Sequence, residues 1–416
     1  MPMVVAETRE VLPTTYLVRA AGHETSAAPS APLGLSELLD LARQQNPDLA
    51  MAAARVTEAQ GQFVQAGLYP NPTVGYIGNQ INDGPGTAGQ QGVFVSQEVV
   101  SGGKLEVARL AAGHGLTAAD WQAVSRWNET TARVRGAYYE YLTARAILRE
   151  TEGIIGQFEA GLRKAESLAA AGMVFNYEVR RFRIELTQAR NRVGTARERL
   201  AAAERLVAGA IGLGQLPAPV AAADLPIPAH AVDFEQAVAA SEGGSYLREA
   251  AALTDQAREQ VRLADLQNLP NLQVQTAGMY DFAIQAPIAN VQVGVTLPIW
   301  HHNEGNILAA QGRLAQAQAG VGQARVRVRE RLAAVYQKYR NARRQMDLYE
   351  KEILPDARAA LEQVEKVYEA KGERFFETLD ARRVLAQARI DYLQALGDCW
   401  QALSEIEGLT QPADKR

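Results

Sequence analysis

Residues 104–171 read as one unbroken helix, and that run restricts the fold more than any other feature of the chain. A run of about 66 helical residues is about 100 Å long at 1.5 Å per residue. No globular domain houses such an element, so it must be covered along its length by other helices. Residues 306–371 form a second run of the same kind, with shorter helical runs at 35–67, 176–211, 233–267 and 375–408. The seams are narrow. Between 314 and 336 the inward candidates are Leu314, Val321, Val328, Leu332 and Val335, with Ala and Gly between them and Arg, Gln and Glu elsewhere. Aromatic residues make up only 6% of the chain, which suits thin, closely approaching helix seams better than a thick core. On the helices alone, a soluble coiled coil fits equally well.

The chain repeats itself. Pro70 and Pro270, Asn71 and Asn271, and Val74 and Val274 are each 200 positions apart. Gly172 matches Gly372 in the same way, and Tyr138, Tyr141 and Arg145 match Tyr336, Tyr339 and Arg343 at 198. "VVSGGK" at 99–104 sits where "IWHHNEGN" sits at 299–306. The expected organisation is a lead-in over 1–32, one repeat over 33–213, a Pro- and Ala-rich linker over 214–232, a second repeat over 233–410 and a tail over 411–416. Each repeat runs helix, strand, strand, long helix, turn, helix. Asn46-Pro47 interrupts the first helix, while Gly156 and Pro355 mark equivalent points where the long helices can bend.

The strands decide between the alternatives. Leu272, Val274, Thr276, Gly278, Tyr280 and Phe282 alternate with Gln273, Gln275, Ala277, Met279 and Asp281. In the return strand, expected at 289–299, Val291, Val293, Val295, Leu297 and Ile299 alternate with Asn290, Gln292, Gly294, Thr296 and Pro298. One face is apolar and the other polar and small, over about ten residues, enough to cross a hydrocarbon layer when tilted. Tyr280 and Phe282 near one end and Trp300 near the other suit interfacial belts. The first pair, at about 72–80 and 91–99, follows the same scheme through Val74, Tyr76, Val93, Val95 and Val99. Four strands cannot close a barrel, so several chains would have to share one.

Net charge is -4 with the two signs interleaved, which gives no case for nucleic acid as a partner. One cysteine, Cys399, excludes an internal disulfide and reads as a buried thiol. The N-terminus has no clean basic-then-apolar signal pattern, so for an exported chain the expectation is a signal that is missing, atypical or lost to a misassigned start. "HHNE" at 301–304 offers ligand types, but adjacent side chains rarely converge on one ion, and a polar turn is the expected reading. His23, His114 and His230 lack ligand spacing. No nucleophile set, phosphate loop or paired carboxylates point to an enzyme.

The twin Pro-Asn junctions, the two strand pairs, the turns at Gly172 and Gly372, and "LDARRVLAQARIDYLQAL" at 379–396 resemble the outer-membrane efflux protein family, the TolC-like channel-tunnels, over about residues 33–410. The sequence leans toward its heavy-metal (CzcC-like) branch. The resemblance implies a mainly α fold with β: a duplicated long-helix coiled-coil tunnel plus four membrane strands per chain. Three chains would share a 12-stranded barrel in the outer membrane, with helices projecting into the periplasm. It implies a homotrimer that meets a periplasmic adaptor (membrane fusion protein), an RND-type inner-membrane pump and outer-membrane lipid. No cofactor or metal is expected. The function implied is a passive exit duct for metal cations or drugs. A type I protein secretion channel or a soluble periplasmic coiled-coil adaptor are the alternatives.

By the same resemblance the tip is the gate. Asp380, with Glu377 as its rival, would ring the closed end, unless Asp380 is simply a solvated acid paired with Arg383 or Arg374. Glu178, Arg180 and Arg181 would tie the tip by ion pairs. The docking turns would be Gly172, Met173 and Val174 with Gly372 and Glu373, flanked by Phe175, Phe375 and Phe376. Pro70, Asn71, Pro270 and Asn271 would mark the helix–strand junctions, and Leu272, Val274, Val291, Val293, Val295 and Leu297 would face lipid.

Overall fold

A computed structural model describes residues 32–81, 89–229, 231–371 and 375–411. The lead-in before residue 32, most of the first strand-to-strand loop, His23, His230, Gly372, Glu373, Arg374 and nearly all of the tail lie outside the described residues, as does the side chain of Phe375. The chain divides into two compact units. The first gathers residues up to 53 with 123–244 and 326 onward; the second gathers 54–122 with 245–325.

The elements run α1 (Leu35–Gln45), α2 (Pro47–Ala66), β1 (Thr73–Asn79), β2 (Gln90–Val99), α3 (Lys104–Ala170), α4 (Asn176–Ile211), α5 (Phe234–Glu242), α6 (Ser245–Leu266), β3 (Leu272–Asp281), β4 (Ala286–Val295), α7 (Glu304–Leu348), α8 (Leu354–Lys371) and α9 (Phe375–Thr410). Asn46 ends α1 and starts α2. Its Oδ1 accepts from the Asp48 amide at 2.9 Å, and its Nδ2 donates to the Ala210 carbonyl at 3.1 Å. Pro47 takes the first helical position, where its missing N–H costs nothing.

Three expectations need correction. The run at 233–267 is two helices, α5 and α6, because Gly243-Gly244 interrupts it; the Gly244 amide turns back to the Ser241 carbonyl at 2.9 Å. The run at 306–371 starts at Glu304 and contains a π turn, Tyr349–Ile353, before α8. The Leu354 amide reaches back five residues to the Tyr349 carbonyl, and Pro355 next to it has no amide to give. Gly156 lacks a side chain but keeps its N–H, and α3 runs through it without such a break. Finally, the return strand is 286–295 rather than 289–299, so Leu297 lies beyond the strand. Pro287 suggests a turn, but β4 is an outer strand of this sheet and tolerates it.

In the first unit Leu33, Leu38, Val134, Leu142, Val207, Ile211 and Val220 are buried together. A short parallel bridge from Leu33 to Val220 ties the segment before α1 to the stretch after α4. Trp400 stacks on Tyr139 at 4.3 Å and donates to the Pro226 carbonyl at 2.6 Å. The second unit holds the sheet, antiparallel throughout in the order β1-β2-β3-β4.

Candidate functional site

The register sorts the sheet into two faces. Val74 lies against Val95, Tyr76 against Val93, and Val95 in turn against Thr276. Leu272 pairs with both Val99 and Val295, and Val274 with Val293. These side chains share one face, because directly paired residues in an antiparallel ladder point the same way. Val74, Tyr76, Val93, Val95, Val291, Val293 and Val295 are all exposed, an apolar surface that water does not favour. Leu272 and Val274 are half-buried because β3 has neighbours on both sides. The opposite face carries Ser96, Glu98, Gln273, Gln275, Asn290 and Gln292, with Ala277 and Met279 buried among them. Among the described residues no helix is long and apolar enough to cross a membrane. The sheet presents a contiguous apolar face.

The second helix–strand junction is held by a polar network. Lys104, at the start of α3, is buried to 9% exposure; its Nζ donates to the Leu269 carbonyl at 2.5 Å and to Asn271 Oδ1 at 2.6 Å. Ser101 Oγ donates to the Pro270 carbonyl at 2.5 Å, and Asn271 Nδ2 donates to Glu98 Oε1 at 2.7 Å. Gly102 and Gly103 both take positive φ, 72° and 73°. A Cβ on Gly102 would lie 2.6 Å from Leu269 Cδ1, which would have to move aside, and the left-handed backbone itself favours glycine there. At the first junction Gln97 Nε2 donates to the Pro70 carbonyl at 2.8 Å. Asn71 is exposed and, among the described residues, has none of the contacts Asn271 makes.

The turn at 301–304 is a polar helix start. Asn303 takes φ 61°, and its Nδ2 donates to the Ala264 carbonyl at 2.8 Å. His301 Nδ1 accepts from the Asn303 amide, and His302 Nδ1 lies 3.2 Å from Glu304 Oε1. No group of ligand residues that would hold a metal ion occurs among the described residues.

At the other end of the long helices α3 stops at Gly172, φ 73°, with the Met173 amide reaching back to the Leu168 carbonyl at 2.9 Å. That left-handed closure is what glycine permits at a helix end. Met173 and Phe175 project into solvent at 73% and 84% exposure, while Val174 is half-buried. Behind the turn Ala165, Phe182 and Leu379 are buried together, and Phe182 stacks on Phe376 at 4.9 Å. Asp380 pairs with Arg383 at 2.7 Å, and Arg383 also approaches Glu185 at 3.8 Å. Glu178 and Arg181 lie 4.0 Å apart on one helix turn, and Arg180 is exposed. Among the described residues the ion pairs that cross from α9 to the α3–α4 hairpin include Arg383–Glu185 and Arg389–Glu150, the latter at 3.5 Å, and, further along, Arg135–Glu407. Sequence reasoning missed Glu185, Glu150 and Arg389.

It also missed a ladder. Arg183, Arg190 and Arg197 on α4 pair with Glu166, Glu159 and Glu152 on α3 at 3.2, 2.9 and 2.7 Å. Both sets step by seven residues in opposite directions, a register visible in the sequence once the antiparallel hairpin is assumed.

The sequence pattern of the outer membrane efflux proteins matches residues 38–213 and 240–410, most of the chain. The chain belongs to the outer membrane efflux protein family. It is 23% identical over 378 residues to the cobalt-zinc-cadmium resistance protein CzcC of Cupriavidus metallidurans, covering 91% of this chain and 90% of that one. Its fold matches the outer membrane protein VceC of Vibrio cholerae with a TM-score of 0.74 at 17% identity, covering 91% and 97% of the two chains. It also matches the channel protein CusC with a TM-score of 0.72 at 18% identity, over 90% and 91%. The protein is therefore an outer-membrane efflux channel, and its family is one of channels rather than enzymes. A stand-alone coiled-coil adaptor is set aside by the same match.

Proposed function

We propose that three copies assemble into a passive duct for divalent metal cations, driven by an RND-type inner-membrane pump through a periplasmic adaptor. The observation that carries the assembly is the sheet. It has four strands, an apolar face suited to lipid and two open outer strands, and unpaired strand edges are not tolerated in lipid without closure. Three copies give 12 strands, enough for a water-filled barrel. On this reading Val74, Tyr76, Val93, Leu272, Val274, Val291, Val293 and Val295 face lipid, and the polar face lines the lumen. Pro70-Asn71 and Pro270-Asn271 mark the inner boundary of the membrane, and the helices run on into the periplasm. The chain is two repeats, 33–213 and 233–410, joined by the linker at 214–232.

The turn at Gly172, Met173 and Val174 is the docking tip for the adaptor, joined by Gly372 and Glu373. Exposed Met173 and Phe175 support this, since apolar side chains at a helix turn gain by being covered. Asp380 and Glu377 form the acidic end of the duct, with Arg383 and the Glu178–Arg180–Arg181 turn beside them. The metal cargo is inferred from the similarity to the cobalt-zinc-cadmium resistance protein.

Expression in a strain lacking its own metal-efflux outer-membrane channel, with the cognate pump and adaptor genes supplied, tests the cargo. Restored growth in zinc, cobalt or cadmium supports the reading. Restored resistance to drugs alone refutes the metal assignment. Recovery of the chain in the soluble fraction, with no oligomer, refutes the channel assembly.

A further inference from the structure

Inside one chain the turn after β2 caps the junction before β3. Ser101 and Lys104 hold the Leu269, Pro270 and Asn271 main chain and amide, and Gly103 enters α3 at φ 73°. Shifted by 200 residues, the same two pieces exist again, but apart. The turn after β4 enters α7 through Asn303 at φ 61°, the counterpart of Gly103, with Glu304 standing where Lys104 stands. The junction before β1 is Tyr69-Pro70-Asn71. Because β1 and β4 are the two outer strands, these pieces do not meet within the chain. Both are open: Tyr69 is 67% exposed and Trp300 93%, and Asn71 lacks the partners of Asn271.

We propose that the 299–304 turn of one copy caps the Tyr69-Pro70-Asn71 junction of a second copy, with Glu304 in the place that Lys104 holds inside the chain. The exchange of cation for carboxylate is chemically sound because an asparagine amide works either way round. Asn271 turns its Oδ1 to Lys104. Asn71 turns its Nδ2 to Glu304, a carboxylate that can only accept. His301 stands in for Ser101. Its Nδ1 is occupied by the Asn303 amide, which leaves Nε2–H to donate to the Pro70 carbonyl alongside Gln97. The same shift fixes the strand register between copies. The intra-chain pair Val95 and Thr276 becomes Val295 against Tyr76 of the second copy, with both on the apolar face. This inference rests on the shared-barrel reading and adds the residues and register of its seam.

Cross-linking tests it on the full chain purified as its oligomer. Asn71→Cys with Glu304→Cys, treated with a short bis-maleimide, is expected to give covalent products of two and three chains. Lys104→Cys with Asn271→Cys, treated likewise, is expected to give an intra-chain link and no larger product. A Val295→Cys, Tyr76→Cys pair checks the register and avoids the junction network altogether. An oligomer in native mass spectrometry whose 71–304 and 295–76 pairs give no inter-chain product overturns the seam while leaving the shared barrel standing. A chain that stays monomeric in detergent and in lipid nanodiscs overturns both. Inter-chain linkage through 295–76 without 71–304 keeps the register and overturns the role of Glu304.

Discussion

Lys104 gives the sharpest test of what holds the helix-to-strand transition. The substitution Lys104→Met keeps the length and most of the apolar stem but removes the ammonium. Two short bonds go with it, to the Leu269 carbonyl and to Asn271 Oδ1. A hydrogen bond to a charged group is worth about 1.5–3 kcal/mol, so the pair is worth about 3–6 kcal/mol. Against this, the lysine is buried against an amide and carbonyls rather than a carboxylate, and removing it recovers part of its desolvation cost. The acceptors left behind lose their partner in a half-buried site, which outweighs that recovery. A net local loss of about 2 kcal/mol follows, equivalent to a roughly thirtyfold rise in local opening. Hydrogen exchange of the lipid-reconstituted protein reads it directly. Peptides covering 266–273 should exchange about thirtyfold faster, while those in α9 stay unchanged. An unchanged rate at 266–273 would refute the claim that Lys104 holds this junction. A rise of equal size everywhere would show that the lysine acts on global stability instead.

Leu379→Ala, in the buried group with Ala165 and Phe182, should cost about 2–4 kcal/mol locally and show as faster proteolysis near the 172 turn, with no change at the sheet. A double-mutant cycle on Arg190 and Glu159, whose side chains are 62% and 37% exposed, should give a coupling of only about 0.2–1 kcal/mol in urea unfolding. The hairpin ladder therefore sets register more than stability, and a coupling several times larger would contradict that. Burial pushes Asp120 up to about 6 from its ordinary 3.8. Its proton is held more tightly in the fold than in the unfolded chain, so its favourable contribution is full below about pH 4 and is lost as pH rises through about 6. Asp120→Asn should flatten the stability profile across that window and raise stability at pH 7 by about 1 kcal/mol, discounted for the solvent that still reaches the group. An unchanged pH profile in thermal melts would count against it.

What was legible in the sequence was periodic. The α3 run, the Asn46-Pro47 break, the two turns out of α2 and α6, and the alternation in β2 and β3 all follow from local patterns that tertiary packing did not override. What was not legible depended on partners. Pro287 signals a turn until β4 is known to be an outer strand. Gly243-Gly244 is tolerated in a helix until Ser241 supplies the carbonyl that turns the chain. The π turn before α8 is a compromise between Pro355 and the continuing helix, and Pro355 alone does not say whether the helix kinks, stops or widens. Near the Gly172 turn, in the group proposed above as the acidic end, Asp380 is an acid in a suggestive place. Its neighbour Arg383, and the reach of Arg383 to Glu185, depend on how α9 lies against α4.

The repeat carries information in two ways. As a spacing it supports the reading of the chain as two repeats. As a structure it says which contacts a chain completes alone and which it leaves for another. Lys104 closes one junction; its counterpart Glu304 has no junction to close in the same chain. A carboxylate at that position would be a defect if it met the same amide orientation, because two acceptors would face each other. Glu304 already accepts from the His302 amide in its own chain, and it can take Asn71 as a further partner only if that amide turns over. Asn is one of two side chains that can do so at fixed backbone, since its two ends are nearly the same size and opposite in hydrogen-bonding sense. The Pro-Asn element thus has two separable parts. Proline ends the helix in both halves, and asparagine lets one junction be closed from within by a cation and the other from outside by an anion. Substituting Asn71→Asp should then impair assembly of the oligomer, because it sets two carboxylates together, while Asn71→Ser should be milder. Equal oligomer yields for the two variants in native mass spectrometry would refute the pairing of Asn71 with Glu304.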